Sequence, residues 1–224
     1  MNNTEQPTLL VSLEKNIHYL EEKFNNSTDL KIRPLTVNDE VIRDAAVLYL
    51  DGITNTQTIQ DNILSPLLRI IKFDSIDAII TRHLLVADVA KVSSNQDVLD
   101  GLTKGKTLIL IDGYNEGILA DTADWQMRSI TEPDTQRSMK GSLVGFNEQL
   151  KVNVNILRNI VQSHKLSIEN LQVGNEVKTD VSILYMEGFV DERILEETRK
   201  RIKEIDVTYL LSRIVAMSVC EPRS

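Results

Sequence analysis

Several residue types on which functional sites are commonly built are scarce in this chain. Its 224 residues include one cysteine, three histidines and 4% aromatic residues. The single thiol, Cys220, excludes an internal disulfide, favours a reducing compartment and has no neighbouring base to activate it as a nucleophile. His18, His83 and His164 lie far from one another and from cysteine, so the sequence shows no metal-ligand spacing. We predict no catalytic residue, no metal site and no cofactor, and hence that the protein is not an enzyme.

Positive charge and long apolar runs are also lacking. The formal net charge is −8, which argues against nucleic acid and anionic membrane surfaces as direct partners. The longest nearly apolar stretch, residues 209–219, is interrupted by Ser212 and Arg213 and falls short of the about 20 residues of a membrane span. Residues 1–7 lack the basic start and apolar core of a secretory signal. We expect the chain as it stands to be soluble.

Residues 101–107 contain glycines, a lysine and a threonine in an order similar to that of a phosphate-binding loop. The spacing is one residue too short, and the segment closes a predicted helix and opens a predicted strand. A phosphate loop has the opposite context, because its amides converge on the phosphate at the N-terminus of a helix. The segment is therefore predicted to be a turn.

Apolar periodicity in the first quarter of the chain predicts a helix, two strands and a second helix. The first helix is about 17 residues long, and Pro34 places the first strand, residues 30–37, at an edge or a bend. Residues 45–50 form a continuous apolar run, as expected for a strand covered on both faces. A turn at Asp51 and Gly52 leads into the second helix. The apolar positions of the two helices are Leu9, Leu13, Ile17, Leu20 and Phe24, then Ile59, Ile63 and Leu67.

The same order of elements returns near the other end of the chain. A helix with apolar positions from Phe146 to Val161 precedes strands at 166–173 and 179–186 and a charged helix at 191–203. Residues 27–53 align with residues 163–189 without a gap, and both copies contain a Tyr-x-[Asp/Glu]-Gly turn. The chain is therefore predicted to carry an internal duplication. The fold class is α/β of the α+β type, with two subdomains each built around a helix–strand–strand–helix unit with small mixed sheets.

Between the copies lies a segment without a counterpart. A strand at 85–92, a short helix at 95–102, and a strand at 107–113 that pairs back with 117–120 are predicted there. We expect an N-terminal subdomain at 1–124, a linker at 125–143 and a C-terminal subdomain at 144–224. The sequence leaves open which subdomain holds residues 71–124.

One cluster of polar residues suggests a binding site as well as a structural role. It lies at the predicted junction of the subdomains, and clefts between lobes are preferred ligand sites. Two arginines in such a cleft could bind an anionic group, with carboxylates and an amide as polar partners. The alternative is that the same side chains form salt bridges between the lobes. The candidate ligand-binding residues are Arg128, Glu132, Glu148, Asn153 and Arg158.

Six short motifs extend this cluster along the chain. They are Arg128-x-Ile130-x-Glu132-Pro133-x-Thr135, Gly145-Phe146-x-Glu148, Asn153 with Ile156-Leu157-Arg158, Tyr49-x-x-Gly52, Tyr185-x-x-Gly188 and Arg201-x-x-x-Ile205-Asp206. With these motifs the chain resembles the N-terminal domain of the A subunit of GerA-type spore germinant receptors. The resemblance covers residues 9–211, and the tail after Leu211 fits poorly. The chain departs from the family's usual pattern at Gln136, at residues 141–143 and at residues 159–160.

The resemblance implies a receptor in the spore inner membrane that senses nutrients such as amino acids or sugars. Its A subunit would carry this domain on the cytosolic side, followed by transmembrane helices, and would work with a transporter-like B subunit and a lipoprotein C subunit. Our hypothesis is that a small nutrient binds between the lobes and that lobe closure is transmitted to the membrane part. The alternative is a scaffold that assembles the receptor subunits without binding the nutrient.

Overall fold

The computed structural model describes residues 8–37, 42–124, 146, 148–174 and 178–205, and the backbone of a strand at 215–218. No helix within these ranges is both long and apolar enough to cross a bilayer. In chain order the elements are α1 (Leu13–Lys23), β1 (Leu30–Val37), β2 (Arg43–Leu50), α2 (Thr56–Ile59), a π-helical stretch (Gln60–Leu64), α3 (Ser65–Leu68), α4 (Ile76–Arg82), β3 (Val89–Val92), α5 (Asn95–Thr103), β4 (Lys106–Ile111), β5 (Gly117–Asp121), α6 (Leu150–Ile160), β6 (Leu166–Val173), β7 (Thr179–Met186), α7 (Glu192–Lys203) and β8 (Val215–Ser218).

The first sheet has five antiparallel strands in the order β1-β2-β4-β5-β3. The strands of the segment without a counterpart therefore belong to this sheet. The side chains of β2 alternate between two cores, with Leu48 packed among residues of α1 and α5 and Val47 among residues of α4 and the helical segment 56–68. β1 lies at the edge, as Pro34 predicted, and β2 is covered on both faces, as its apolar run predicted.

The second sheet has three strands in the order β6-β7-β8, in which β7 and β8 are parallel. α6 covers one face through Val154 and Leu157, and α7 covers the other through Leu195 and Ile202. β8 was not predicted. The α+β fold class is confirmed.

The duplication is visible in the strand pairing. β1 and β2 pair with Leu30 opposite Leu50 and Val37 opposite Arg43. In β6 and β7, the corresponding residues Leu166 and Met186 are opposite each other, as are Val173 and Thr179. α1 and α6 are both 11 residues long. The two copies therefore share one register from end to end, because a slip by one residue would exchange the faces of the strands.

Two helix boundaries predicted from apolar spacing were wrong. α1 begins only after Ser12, whose side chain accepts a hydrogen bond from the Lys15 amide, and ends before Asn25 and Asn26, which adopt a φ of 50°. Leu9 and Phe24 are buried outside the helix. Phe146 likewise lies outside α6 and is exposed. The spacing of apolar residues identifies burial but does not distinguish a helix from the chain that enters or leaves it.

The middle segment required a further correction. The strand predicted at 85–92 is only Val89–Val92, and the preceding helix α4 was not predicted. The Leu85 amide instead donates to the carbonyl of Asn62, which draws that part of the chain towards the π-helical stretch. The predicted turn at 101–107 is confirmed, since α5 ends at Thr103 and β4 begins at Lys106.

Candidate functional site

The two copies meet where the chain leaves α1. Residues 25–29, which we call the junction loop, lie against β6. The Thr28 amide donates to the carbonyl of Ile168 at 2.8 Å, and the Ile168 amide donates to Ser27 Oγ at 2.9 Å. The left-handed φ of Asn25 and Asn26 turns the chain sharply enough to reach β6. The loop thus closes part of the outer edge of the second sheet.

Arg158 of α6 lies beneath this loop. Its Nε donates to Asp29 Oδ2 at 2.8 Å, its Nη2 to Asp29 Oδ1 at 3.0 Å and its Nη1 to the carbonyl of Ser163 at 3.0 Å. The side chains of Arg158 and Asp29 are 1% and 7% exposed. Burial lowers the pKa of Arg158, and the Asp29 carboxylate opposes that shift. Since all three guanidinium nitrogens bind the protein, this arginine holds the two copies together.

The structure does not bring the other described candidates to this ion pair. Glu148 is exposed immediately before α6, and Asn153 is buried on α6. Asn153 corresponds in the repeat to Asn16, whose side chain both donates to and accepts from the backbone of Leu10, at 2.7 and 2.8 Å. Arg128 and Glu132 lie outside the described residues. Binding of a ligand by these five residues stays a prediction.

A cavity of about 370 Å³ lies between the junction loop, the start of β1, the turn after β2, the N-terminal half of α6 and the strands β6 and β7. Its lining includes polar side chains and both signs of charge, and Lys151 Nζ lies 3.1 Å from Asp51 Oδ2. Of the predicted residues that the structure describes, none belongs to the lining. The polar side chains that line it include Lys31, Asp51, Lys151, Asn155, Asn170 and Asp180.

These lining residues were missed because each reads as an ordinary surface residue in sequence. One signal was available in β6, where Leu166 and Ile168 begin one face of the strand and Asn170 and Gln172 continue it. They pair with the opposite strand through Ser182, which donates to Asn170 at 2.6 Å, and Asp180, which accepts from Gln172 at 3.0 Å. A change from apolar to polar residues along one face indicates that the sheet is uncovered there.

A second polar network joins α7 to the junction loop. Glu169 accepts hydrogen bonds from Arg199 and from Tyr185, the latter at 2.6 Å, and the bond from Arg199 is the main cause of the lowered pKa of Glu169. Burial and then the Glu169 contact raise the pKa of Tyr185 to about 12. The Asn25 side chain donates to Tyr185 Oη at 3.0 Å. The network is a structural connection between the outer helix of the second copy and the end of α1.

His164 gives the junction a pH dependence. Its ring packs edge-on against Phe24 with 6.4 Å between centroids, and burial, followed by the charges of Lys165 and Lys23, lowers the pKa of His164 against the opposing charge of Asp100. The unfolded chain therefore binds this proton first, at about pH 6.5, so stability is present above that pH and is lost as the pH falls below it.

We expect the free energy of unfolding, measured by urea titration at about pH 7.5 and about pH 5.5, to fall less in His164→Gln than in the unmodified chain. The matched control is His18→Gln, because His18 is exposed and its one ion pair within the described ranges is with Glu22. If the free energy of unfolding fell equally in the His164 variant and the unmodified chain, protonation of His164 would not be the cause of the pH dependence.

Within the described ranges, no group of three His, Cys, Asp or Glu side chains is placed to hold a metal ion. The junction combines the buried Arg158–Asp29 ion pair, the hydrogen-bonded network around Glu169 and the cavity. Charged groups of both signs and hydrogen-bonding side chains therefore face one cavity.

Comparison with known proteins places this geometry in context. A family model described as "Bacillus/Clostridium GerA spore germination protein" matches residues 18–221. Spore germination protein KA of Bacillus subtilis (strain 168) is 30% identical over 211 residues, which cover 92% of this chain and 39% of that protein. The uncharacterized membrane protein YfkQ of the same organism is 27% identical over 212 residues, covering 94% and 41%.

A solved structure has the same fold. The crystal structure of the N-terminal domain of the A subunit of the Bacillus megaterium spore germinant receptor GerK3 matches with a TM-score of 0.69 and 26% identity, covering 89% of this chain and 74% of that one. The chain spans about two fifths of the length of the curated relatives described above.

Proposed function

Because the chain belongs to the GerA family of spore germination proteins, we propose that it is a domain of a germinant receptor A subunit that senses a small nutrient at the junction of its two copies. The likeness to the N-terminal domain of the GerK3 A subunit supports this assignment. The proposed units are residues 1–124 and 144–224, joined by a linker at 125–143. In this proposal β3, β4 and β5 belong to the first unit.

The observation that carries the nutrient proposal is the polar cavity at the junction. Its volume of about 370 Å³ lies within the range of small-molecule sites, about 300–1,000 Å³. Lys31 and Asp180 both line it, so groups of either sign can be paired there. A zwitterionic amino acid or a sugar with several hydroxyl groups fits this lining.

Transmission would follow from the position of the cavity between the copies. A ligand that contacts both the junction loop and α6 stabilises the arrangement in which they are close, and therefore shifts the population of the closed state. In the proposed receptor, the A subunit lies in the spore inner membrane with this domain on its cytosolic side. It passes the change to its membrane part and to the B and C subunits. The name of the relative YfkQ, a membrane protein, supports membrane attachment of the whole subunit.

Calorimetric titration tests this proposal. We expect amino acids or sugars to bind the chain with a dissociation constant no weaker than tens of millimolar, where binding is worth about 2–3 kcal/mol. Lys31→Ala should weaken binding, whereas Lys104→Ala, an exposed lysine outside the cavity, should not. Absence of binding by every nutrient at tens of millimolar would refute the sensing role.

A scaffold role is the second candidate, and the Arg158–Asp29 ion pair favours it. A buried, bidentate pair fixes the relative positions of the copies, which suits a module that assembles receptor subunits. The two roles differ in what a cavity variant does. If Lys31→Ala leaves germination of spores that carry the full-length subunit unchanged while disruption of the ion pair abolishes receptor assembly, the scaffold role is favoured.

A further inference from the structure

Among the residues that the structure describes, β6 has a neighbouring strand on one side only, the side of β7. It lies at the edge of its sheet, and Ile168 stands opposite Leu184 in the register. Both backbone groups of Ile168 bond to the junction loop instead of β7. In an antiparallel pair, residues that bond to the partner strand alternate with residues whose N–H and C=O groups point away from it. Asn170 and Gln172 follow Ile168 by two and four residues, so their N–H and C=O groups also point away from β7. Both residues are exposed, and no backbone bond to them is found within the described ranges.

The matching edge in the first copy is protected. Pro34 of β1 corresponds to Asn170 of β6, since β1 and β6 share one register. Proline has no N–H to offer and is a common device against strand addition at a sheet edge. The second copy lacks this device at the same position, and its edge continues into the junction cavity, which Asn170 and Gln172 line.

We propose that the edge of β6 binds an extended peptide segment of a partner protein as an added strand. Thr28 already forms the first backbone bond of such a strand, with Ile168, and the next positions towards Gln172 extend it over about 13 Å, at about 3.3 Å per residue. The added backbone supplies the missing partners of Asn170 and Gln172. Polar side chains of both charges on the peptide meet the lining of the cavity.

A single strand is the occupant that the geometry fits. The lining of the cavity beside the edge includes Lys31 of β1 and Leu150 and Lys151 of α6. An added strand needs a spacing of about 4.8 Å from β6, whereas a second folded copy would bring a whole sheet and its covering helices into the same space. An extended peptide needs only the space of one strand beside β6, so it is the occupant that we propose for this edge.

The peptide proposal goes beyond nutrient sensing, because the group recognised is a peptide backbone. The two ligands would share the cavity and exclude each other. The chain can be tested against a phage library of short random peptides, with enriched peptides synthesised and measured by fluorescence anisotropy. We expect Asn170→Pro to weaken their binding at least about tenfold, because it removes the central N–H donor of the edge.

The repeat supplies the controls. Since β1 accommodates proline at the matching position, Asn170→Pro should fold, which circular dichroism and urea unfolding verify. Pro34→Asn should leave peptide affinity unchanged. Hydrogen exchange at the amides of Asn170 and Gln172 should slow when peptide binds. The proposal is overturned if no peptide is enriched, or if enriched peptides bind Asn170→Pro as tightly as the unmodified chain. Neither result bears on the calorimetric titration with nutrients, so the two proposals fail separately.

Discussion

Replacing Arg158 with alanine should lower the free energy of unfolding by about 3–5 kcal/mol. The guanidinium is buried against Asp29, and its removal leaves that largely buried carboxylate without the bidentate hydrogen bonds that neutralise its charge. The loss also leaves the carbonyl of Ser163 without the hydrogen bond that Nη1 donates. Both costs fall on the junction, so the two copies should separate more readily than either loses its own sheet.

Urea unfolding measures this change, with Arg193→Ala as the matched control. Arg193 is 89% exposed and pairs with Asp191 at the surface, so its loss should change the free energy of unfolding far less than the loss of Arg158. The double variant Arg158→Met with Asp29→Asn should recover much of the lost stability, because a neutral pair needs no compensation. A cost below about 1 kcal/mol for Arg158→Ala would mean that the ion pair does not hold the junction.

Arg158 also shows how far the sequence predicts the site. The arginine was identified, but its partner was not, because Asp29 lies at the other end of the chain and shows no local pattern. The signal that distinguishes the copies is the pair Asp29 and Lys165, which stand at matching positions with opposite charges. Duplication predicts what the copies share, and the junction is built from positions at which they differ.

The strands could be predicted from the sequence more completely than the site, for a physical reason. Strands have a side-chain period of two, and a duplicated sequence repeats that period, so the bounds of β6 and β7 and their pairing follow from residues 166–173 and 179–186. The helix ends depend instead on single capping groups such as Ser12 and on backbone turns such as Asn25. Periodicity does not include these contributions, which explains why α1 is shorter than predicted.

The cavity could not be predicted from the sequence, because the residues that line it are far apart along the chain. Its lining comes from the junction loop, the strands β1, β6 and β7, the turn after β2, and α6, and only tertiary packing brings Lys31 and Asp180 to one space. The predicted cluster ran along one continuous stretch of chain and into α6. α6 does line the cavity, but through Lys151 and Asn155, which precede Arg158 on the same stripe of the helix by about two turns and one turn.

The two turn glycines offer a second large effect with a built-in control. Gly52 and Gly188 occupy matching positions and both have positive φ, 97° and 81°. A Cβ at Gly52 would lie 1.8 Å from Asn155 Oδ1, whereas a Cβ at Gly188 would meet nothing within 4 Å. An alanine is strained at either position, at a cost of about 1 kcal/mol or more, but only at Gly52 does it also push against α6.

We expect Gly52→Ala to lower the free energy of unfolding by about 2–3 kcal/mol and Gly188→Ala by about 1 kcal/mol. The difference measures the close approach of the first copy's turn to Asn155. Asn155→Ala in the Gly52→Ala background should restore most of that difference, while the same change beside Gly188→Ala should be additive, because the two sites share no contact. Equal costs for the two glycines in urea unfolding would show that Asn155 rotates away freely, and the turn would then be no part of the junction.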